Sequence, residues 1–324
     1  MIRRQTILAT AATAVLAVAV VRALPLETPA DLDGDGQTDY AVVRNVGGGA
    51  SGQVRWFSLG SVFSAFDWGI ASDSFTPSDF DGDGKTDRVV WRSGAAGTAA
   101  FYILQSLNGA ARVEAFGQTG DNPQVVADYD GDGRADPAVY RAGANPGDQS
   151  VWYYRGSFSN PGGNVTVIPW GSNGDFPAPG DYDGDGKSDV AVQRAAGGQG
   201  VFYIRRSSDG GVVVIPWGLA TDLVAPGDYD GDGLTDLAVV RSSGGTRTWW
   251  IRLSSNGTVS VNAFGASATD MVTPGDYDGD GITDIAIWRQ TNGAFWVRRS
   301  STTAVSVYNF GTSGDYPIAN GTVF

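Results

Sequence analysis

Six clusters of aspartate recur along the chain, each inside the nine-residue pattern Asp-x-Asp-Gly-Asp-Gly-x-x-Asp. They comprise Asp31, Asp33, Asp35 and Asp39; Asp79, Asp81, Asp83 and Asp87; Asp128, Asp130, Asp132 and Asp136; Asp181, Asp183, Asp185 and Asp189; Asp228, Asp230, Asp232 and Asp236; and Asp276, Asp278, Asp280 and Asp284. Carboxylates this close in sequence repel one another strongly unless a cation sits between them. The pattern therefore points to metal binding, with side-chain ligands at positions 1, 3, 5 and 9 of each loop. The chain has no Cys and no His, which disfavours zinc.

Calcium is the expected ion. It accepts six to eight oxygens in flexible geometry, and positions 1 to 7 follow EF-hand logic: acids at 1, 3 and 5, a glycine at 6 for the sharp turn, and a backbone carbonyl at 7. Position 9 takes the place of the EF-hand's more distant glutamate. Magnesium fits less well, because it demands near-ideal octahedral geometry and retains its waters. Asp and Gly also build ordinary turns, but turns specify residues loosely, and here all 24 Asp and all 12 Gly survive in six copies. The expectation is about six structural calcium ions. Every copy carries the same set, so none is marked out for catalysis.

The elements that must position these loops follow from their spacing. Start-to-start distances are 48, 49, 53, 47 and 48 residues, a period that implies one repeated supersecondary unit. After each loop comes a short, mainly β-branched run ending in Arg, at 40–44, 88–92, 137–141, 190–194, 237–241 and 285–289. A turn and an aromatic run such as Trp249-Trp250-Ile251-Arg252 follow, then a third run closing on an aromatic-Gly pair: Trp68-Gly69, Phe116-Gly117, Trp170-Gly171, Trp217-Gly218, Phe264-Gly265 and Phe310-Gly311. A Pro-containing segment such as Val224-Ala225-Pro226-Gly227 leads into the next loop and supplies the innermost strand. Four antiparallel strands per repeat make a propeller blade. The fold class expected is all-β, a propeller of six blades, with seven as the alternative. The tail from Asp315 copies an inner-strand segment without the acids, and is expected to tie the last blade to the first, since an open ring would expose a sheet edge.

Residues 1–23 read as a signal peptide, with Arg3 and Arg4 before an apolar run at 7–21 and a small-residue context after it. That run is shorter than the about 20 residues a spanning helix needs, so retention as an anchor is the lesser reading. Residues 24–324 form a single propeller domain. Export suits calcium loops that work at weak affinity and a chain without disulfides, held instead by core burial and metal. The 35 acids against 22 bases give net −13, which argues against nucleic acid as partner. Without the three arginines of the leader the net is −16, and six divalent ions would return it to about −4. Much of the acidity is thus ligand charge. No membrane insertion is expected once the leader is removed.

The loop, the Ala-Val-type strand after it and the Phe-Gly or Trp-Gly some thirty residues on resemble the FG-GAP and VCBS repeats, over roughly residues 27 to 324. The resemblance implies a propeller like the head of integrin α chains, with calcium in the loops on one face. Some members of that family are lectins or adhesion domains, and others accompany enzymatic modules.

Function is sought outside what all six blades share. Arg44, Arg92, Arg141, Arg194, Arg241 and Arg289 could line a channel for acidic sugars, but recurrence in every blade reads more simply as a structural role, bridging a loop carboxylate or capping carbonyls. The aromatic runs, including Phe101-Tyr102, Trp152-Tyr153 and Phe202-Tyr203, could stack on sugars, and pack more simply between blades. The third blade has longer turns at 142–147 and 157–163, either binding elements or tolerated insertions. Without His or Cys, the usual nucleophilic triads are excluded. Paired carboxylates remain available for glycoside chemistry, yet the close pairs belong to the loops, and Asp67, Asp73 and Asp121 show no second acid at a convincing spacing. The reading is an exported calcium-binding propeller that binds glycans or other extracellular macromolecules, with a polysaccharide-active enzyme and a purely structural surface protein as alternatives. Sequons at Asn164, Asn256 and Asn320 matter only in a host that glycosylates secreted proteins.

Overall fold

Six antiparallel sheets make up the computed structural model, which describes residues 28–156 and 163–319. The leader, most of the 157–163 turn and Asn320 lie outside the described residues. Each sheet is one blade of a propeller. Blade 5 shows the plan: Leu223–Val224 innermost, then Leu237–Ser243, Thr246–Arg252 and Val259–Ala266, in chain order across the sheet. The second and third strands join through Gly244 and Gly245, at φ of 58° and 85°. Those left-handed values suit the right-handed strand twist and are open to glycine at little cost.

The second strands are Tyr40–Asn45, Arg88–Arg92, Ala138–Arg141, Val190–Ala196, Leu237–Ser243 and Ile285–Arg289, close to the six expected runs. They are buried on both faces, as continuous apolar runs require. The inner strand of blade 5 begins one residue before the expected segment and ends before Pro226, which has no N–H for the ladder.

Six blades, not seven, close the ring. Tyr316–Pro317 pairs with Val43 and Val42 as the inner strand of blade 1, so the tail acts as the expected clasp. Ile318 and Ala319 behind it are buried. Blade 3 departs from the four-stranded plan: its inner position holds a single bridge, Asn122 to Tyr140. There Asn122 Oδ1 accepts the Gln124 amide at 2.9 Å, a local turn that takes the chain out of the extended register.

The core sits between blades. Each of six apolar clusters combines one blade's interior with the second strand of the next, as when Ala191, Phe202 and Ile204 of blade 4 meet Leu237, Val239 and Trp250 of blade 5. The third strand of every blade contributes one fully buried ring: Trp56, Phe101, Trp152, Phe202, Trp249 and Phe295. Burying such a side chain contributes about 2–3 kcal/mol, so the aromatic runs do serve the blade interfaces. Among the described residues, no helix is long and apolar enough to cross a membrane.

Candidate metal centres

Each aspartate loop enters the second strand of its blade, in blades 2 to 6 directly from that blade's inner segment, and its own acids shape it. The first carboxylate straddles the loop, accepting the amides of both glycines at 2.6–2.9 Å: Asp31 from Gly34 and Gly36, Asp228 from Gly231 and Gly233, and likewise in the other four. All twelve glycines have φ between 77° and 83°. Position 4 must also be small, because a Cβ on Gly231 would lie 2.9 Å from Ile282 of the next loop. The position-9 carboxylate is buried at the strand entrance, where its Oδ2 accepts the position-2 amide, as Asp236 does from Tyr229 at 2.8 Å. In four blades a tyrosine at position 2 locks the approach, its hydroxyl donating to the carbonyl four residues back (Tyr129, Tyr182, Tyr229 and Tyr277).

The carboxylates converge. In five loops three acids offer oxygens within 4.8 Å of one another: positions 1 and 3 always, joined by position 9 in loops 2 to 4 and by position 5 in loops 1 and 5. Oδ1 of Asp81, Asp183, Asp230 and Asp278, all at position 3, is buried without a hydrogen-bond donor. In loop 1 the same holds for Oδ1 of Asp39. Orphaned carboxylate oxygens inside an acidic cluster are expensive unless a cation meets them, and these are the atoms that fit one. Burial, followed by the neighbouring acids, pushes Asp39 up to about 7. Burial likewise raises Asp87, Asp189, Asp236 and Asp284 to about 6. A bound divalent ion would reverse that penalty.

Two features of the site went unseen in the sequence. The first is a shell of serines from the turn between third and outer strands. Ser106, Ser207, Ser254 and Ser300 each donate their backbone amide to the position-9 carboxylate, at 2.6–2.7 Å, and their hydroxyl to position 5. Ser208, Ser255 and Ser301 donate to position 3. The recurring Ser after each third strand was the available signal. In blade 1 the arrangement changes, and Ser61 gives both amide and hydroxyl to Asp33.

The second is a chain of contacts between loops. The position-1 carbonyl of each loop accepts the position-8 amide of the next, at 2.5–2.7 Å: Thr86 to Asp31, Ala135 to Asp79, Ser188 to Asp128, Thr235 to Asp181, Thr283 to Asp228 and, completing the circle, Thr38 to Asp276. The six candidate centres form one closed ring.

The recurrent arginines do not touch the loops. Each bonds an aspartate at the head of its own blade's inner strand: Arg44 with Asp315, Arg92 with Asp73, Arg141 with Asp121, Arg194 with Asp175, Arg241 with Asp222 and Arg289 with Asp270, at 2.7–2.9 Å. These carboxylates are almost fully buried. Each guanidinium also lies 4.6–5.0 Å from the centroid of a third-strand ring, Phe57, Tyr102, Tyr153, Tyr203, Trp250 or Trp296. The arginines are thus structural, but their carboxylate partners belong to a different turn from the one expected. Asp73 and Asp121, left over in the sequence, are two of those partners.

A family model described as an FG-GAP-like repeat matches residues 228–287, which run from the fifth loop through the sixth into the strand beyond. The same loop, strand and aromatic-Gly order builds all six blades. Together these fit an FG-GAP repeat β-propeller. No curated protein matches this propeller in sequence. Among solved structures, it is similar to a triple arginine-to-alanine mutant of AofleA from Arthrobotrys oligospora, with 11% identity, TM-score 0.45, and 93% of this chain and 97% of that one covered. A putative 6-phosphogluconolactonase from Bacteroides fragilis aligns with 12% identity and TM-score 0.44, covering 90% and 98%. The exotype rhamnogalacturonan lyase YesX aligns with 13% identity and TM-score 0.38, covering 90% of this chain and 64% of that one.

Proposed function

We propose that this propeller is an exported calcium-binding module, carrying about six structural ions, that recognises glycans or other extracellular macromolecules. The observation that carries the metal assignment is the set of buried position-3 oxygens without donors, each inside a cluster of aspartates. Positions 1, 3, 5 and 9 of each loop would hold the ion, which would supply the positive charge that the buried carboxylates lack. The all-oxygen, carboxylate-rich donor set suits calcium in preference to softer metals. The serine shell orients the acids and hands one oxygen of each inward.

A binding role is supported by where the acids go. The close carboxylates are taken by the loops, and six of the remaining aspartates are held by arginines. Thermal unfolding of residues 24–324 with calcium titrated against a chelator, and magnesium as control, tests the metal. A calcium-specific rise in Tm with several ions bound by calorimetry is the expected outcome. An equal shift with magnesium, or none, would reduce the loops to turns. A glycan array read beside activity assays on the same glycans tests recognition.

A further inference from the structure

Blade 4 breaks the repeat at one buried position. The residue before the recurrent arginine is Val43, Trp91, Tyr140, Gln193, Val240 and Trp288 in blades 1 to 6. In blades 2 and 6 that residue's indole donates to the carbonyl of the aromatic-Gly pair, Trp91 to Phe116 at 2.9 Å and Trp288 to Phe310 at 3.0 Å. In blades 1 and 5 the third-strand tryptophan does so instead, Trp56 to Trp68 and Trp249 to Phe264. Blade 4 has only Gln193 and Phe202 there. Gln193 is fully buried, and neither its amide oxygen nor its nitrogen has a partner.

Beside that position lies an open cavity of about 320 Å³ at the seam with blade 5, lined by Gln199, Pro216, Trp217, Gly218, Arg241 and Trp250. Its chemistry is aromatic walls with one uncommitted amide. The indole N–H of Trp217 is buried without an acceptor, whereas Trp68 and Trp170 at the same position donate to the carbonyls of Tyr102 and Tyr203. Gln53 and Gln149 hold the Gly69 and Gly171 carbonyls at 2.8 Å, but the matching Gln199 amide makes no such bond. Arg241 stacks on Trp250 at 5.0 Å and is neutralised by Asp222. The cavity thus offers flat apolar surface, an uncommitted Gln199 amide and no net charge. Sugar rings present the complement, an apolar face and a rim of acceptor hydroxyls.

We propose that the seam between blades 4 and 5 binds a neutral monosaccharide unit, stacked on its tryptophans and hydrogen-bonded by Gln199. The proposal rests on the binding-module reading above and narrows it to one site and one ligand class.

The test is a titration of the calcium-loaded full chain, followed by ligand-observed NMR, with methyl glycosides of neutral hexoses, 6-deoxyhexoses and N-acetylhexosamines, and with methyl glucuronide. Trp217→Phe trims the stacking surface while keeping a ring that blades 2, 5 and 6 already use at this position (Phe116, Phe264 and Phe310), so the fold tolerates it. Gln199→Ala alters an exposed residue. Trp170→Phe is the control, at the seam between blades 3 and 4 and outside the cavity. At least one neutral glycoside should bind, about tenfold more weakly to Trp217→Phe, which loses stacking area, and to Gln199→Ala, which loses one hydrogen bond, and equally well to Trp170→Phe. The glucuronide should bind at least about tenfold more weakly than the neutral sugar. Equal binding by Trp217→Phe and Gln199→Ala, or preference for the glucuronide, would overturn the proposal while leaving a binding module. If no monosaccharide binds but larger glycans or proteins do, this site falls and the module survives. If nothing binds, both fall.

Discussion

Replacing Asp81 by Asn should change the sign of its effect on stability with calcium. Without the ion, Asp81 places a carboxylate oxygen in a buried position with no donor, and only a 3.3 Å bond from the Leu107 amide reaches the other oxygen. Burial, reinforced by Asp83 and Asp79, already holds this acid above its ordinary pKa. Asparagine keeps one oxygen for Leu107 and removes the charge, relieving about 1 kcal/mol of unsatisfied burial. With calcium the same change replaces a charged ligand by a neutral amide, which would hold the ion less well. At a free concentration 100 times Kd, one site contributes about 2.7 kcal/mol. For roughly 300 residues the unfolding entropy near 60 °C is about 0.6 kcal/mol/K, so these free energies become a rise of about 1–2 °C in chelator and, because the relieved 1 kcal/mol offsets part of the at most 2.7 kcal/mol lost, a fall of up to about 3 °C in calcium. Calorimetry of wild type and variant in both buffers reads the two numbers. A variant that lowers Tm equally in each would show that Asp81 only shapes a turn, and would refute the argument from the orphaned oxygen.

Stability of the metal-free protein should fall as pH rises from about 4 to 7. Asp87, Asp189, Asp236 and Asp284 have folded values of about 6 and Asp39 about 7, against 3.8 ordinarily, so the folded chain binds more protons across this window. The first four cost up to roughly 3 kcal/mol each above it and Asp39 up to roughly 4 kcal/mol, and calcium affinity should strengthen over the same range; a flat melting profile in chelator between pH 4 and 8 would contradict this. Arg289→Met should destabilise the protein by about 2–4 kcal/mol in urea titration, because it strands the buried Asp270, while calcium stoichiometry by calorimetry stays unchanged; loss of an ion would tie the arginine to the loops after all. Ending the chain at Gly314 removes the clasp strand, the partner of Arg44 and the buried Ile318. It should lower stability by about 4 kcal/mol or more, and an unchanged Tm would make the clasp dispensable.

The loops, the blade count and the clasp were legible because each is a local pattern repeated at a fixed interval. A run such as Leu237-Ala238-Val239-Val240-Arg241 announces a strand whichever blade holds it. The Arg–Asp pairs were harder to see, since Arg92 and Asp73 lie 19 residues apart and their pairing depends on which strands lie side by side. Yet an aspartate four or five residues past every aromatic-Gly pair, from Asp73 to Asp315, was a sixfold signal as regular as the loops. The serine shell hid for the same reason, its residues meeting the acids only after the blade has folded across itself. Gln193 shows a different limit: its identity is plain in the sequence, but its meaning comes from the indoles at the matching positions of other blades and the carbonyls they reach.

The closed circle of loop-to-loop hydrogen bonds also constrains how such a chain can change its repeat number by duplication. An open solenoid can gain a unit at either end, because each unit answers only to its neighbours. In this ring every loop is both donor to one neighbour and acceptor from the other, and Thr38 meets Asp276 as closely as any consecutive pair. A seventh copy would have to enter all at once, with every inter-blade angle readjusted, so intermediates with a partial repeat would leave the hoop broken. Length can vary freely only where the circle does not notice. The third and fourth loops start 53 residues apart, five more than the spacing of the first two, and Ser188 still donates to Asp128 at 2.7 Å. Insertions and new specificities should therefore collect in the turns between strands, while the number of blades stays fixed over long lineages.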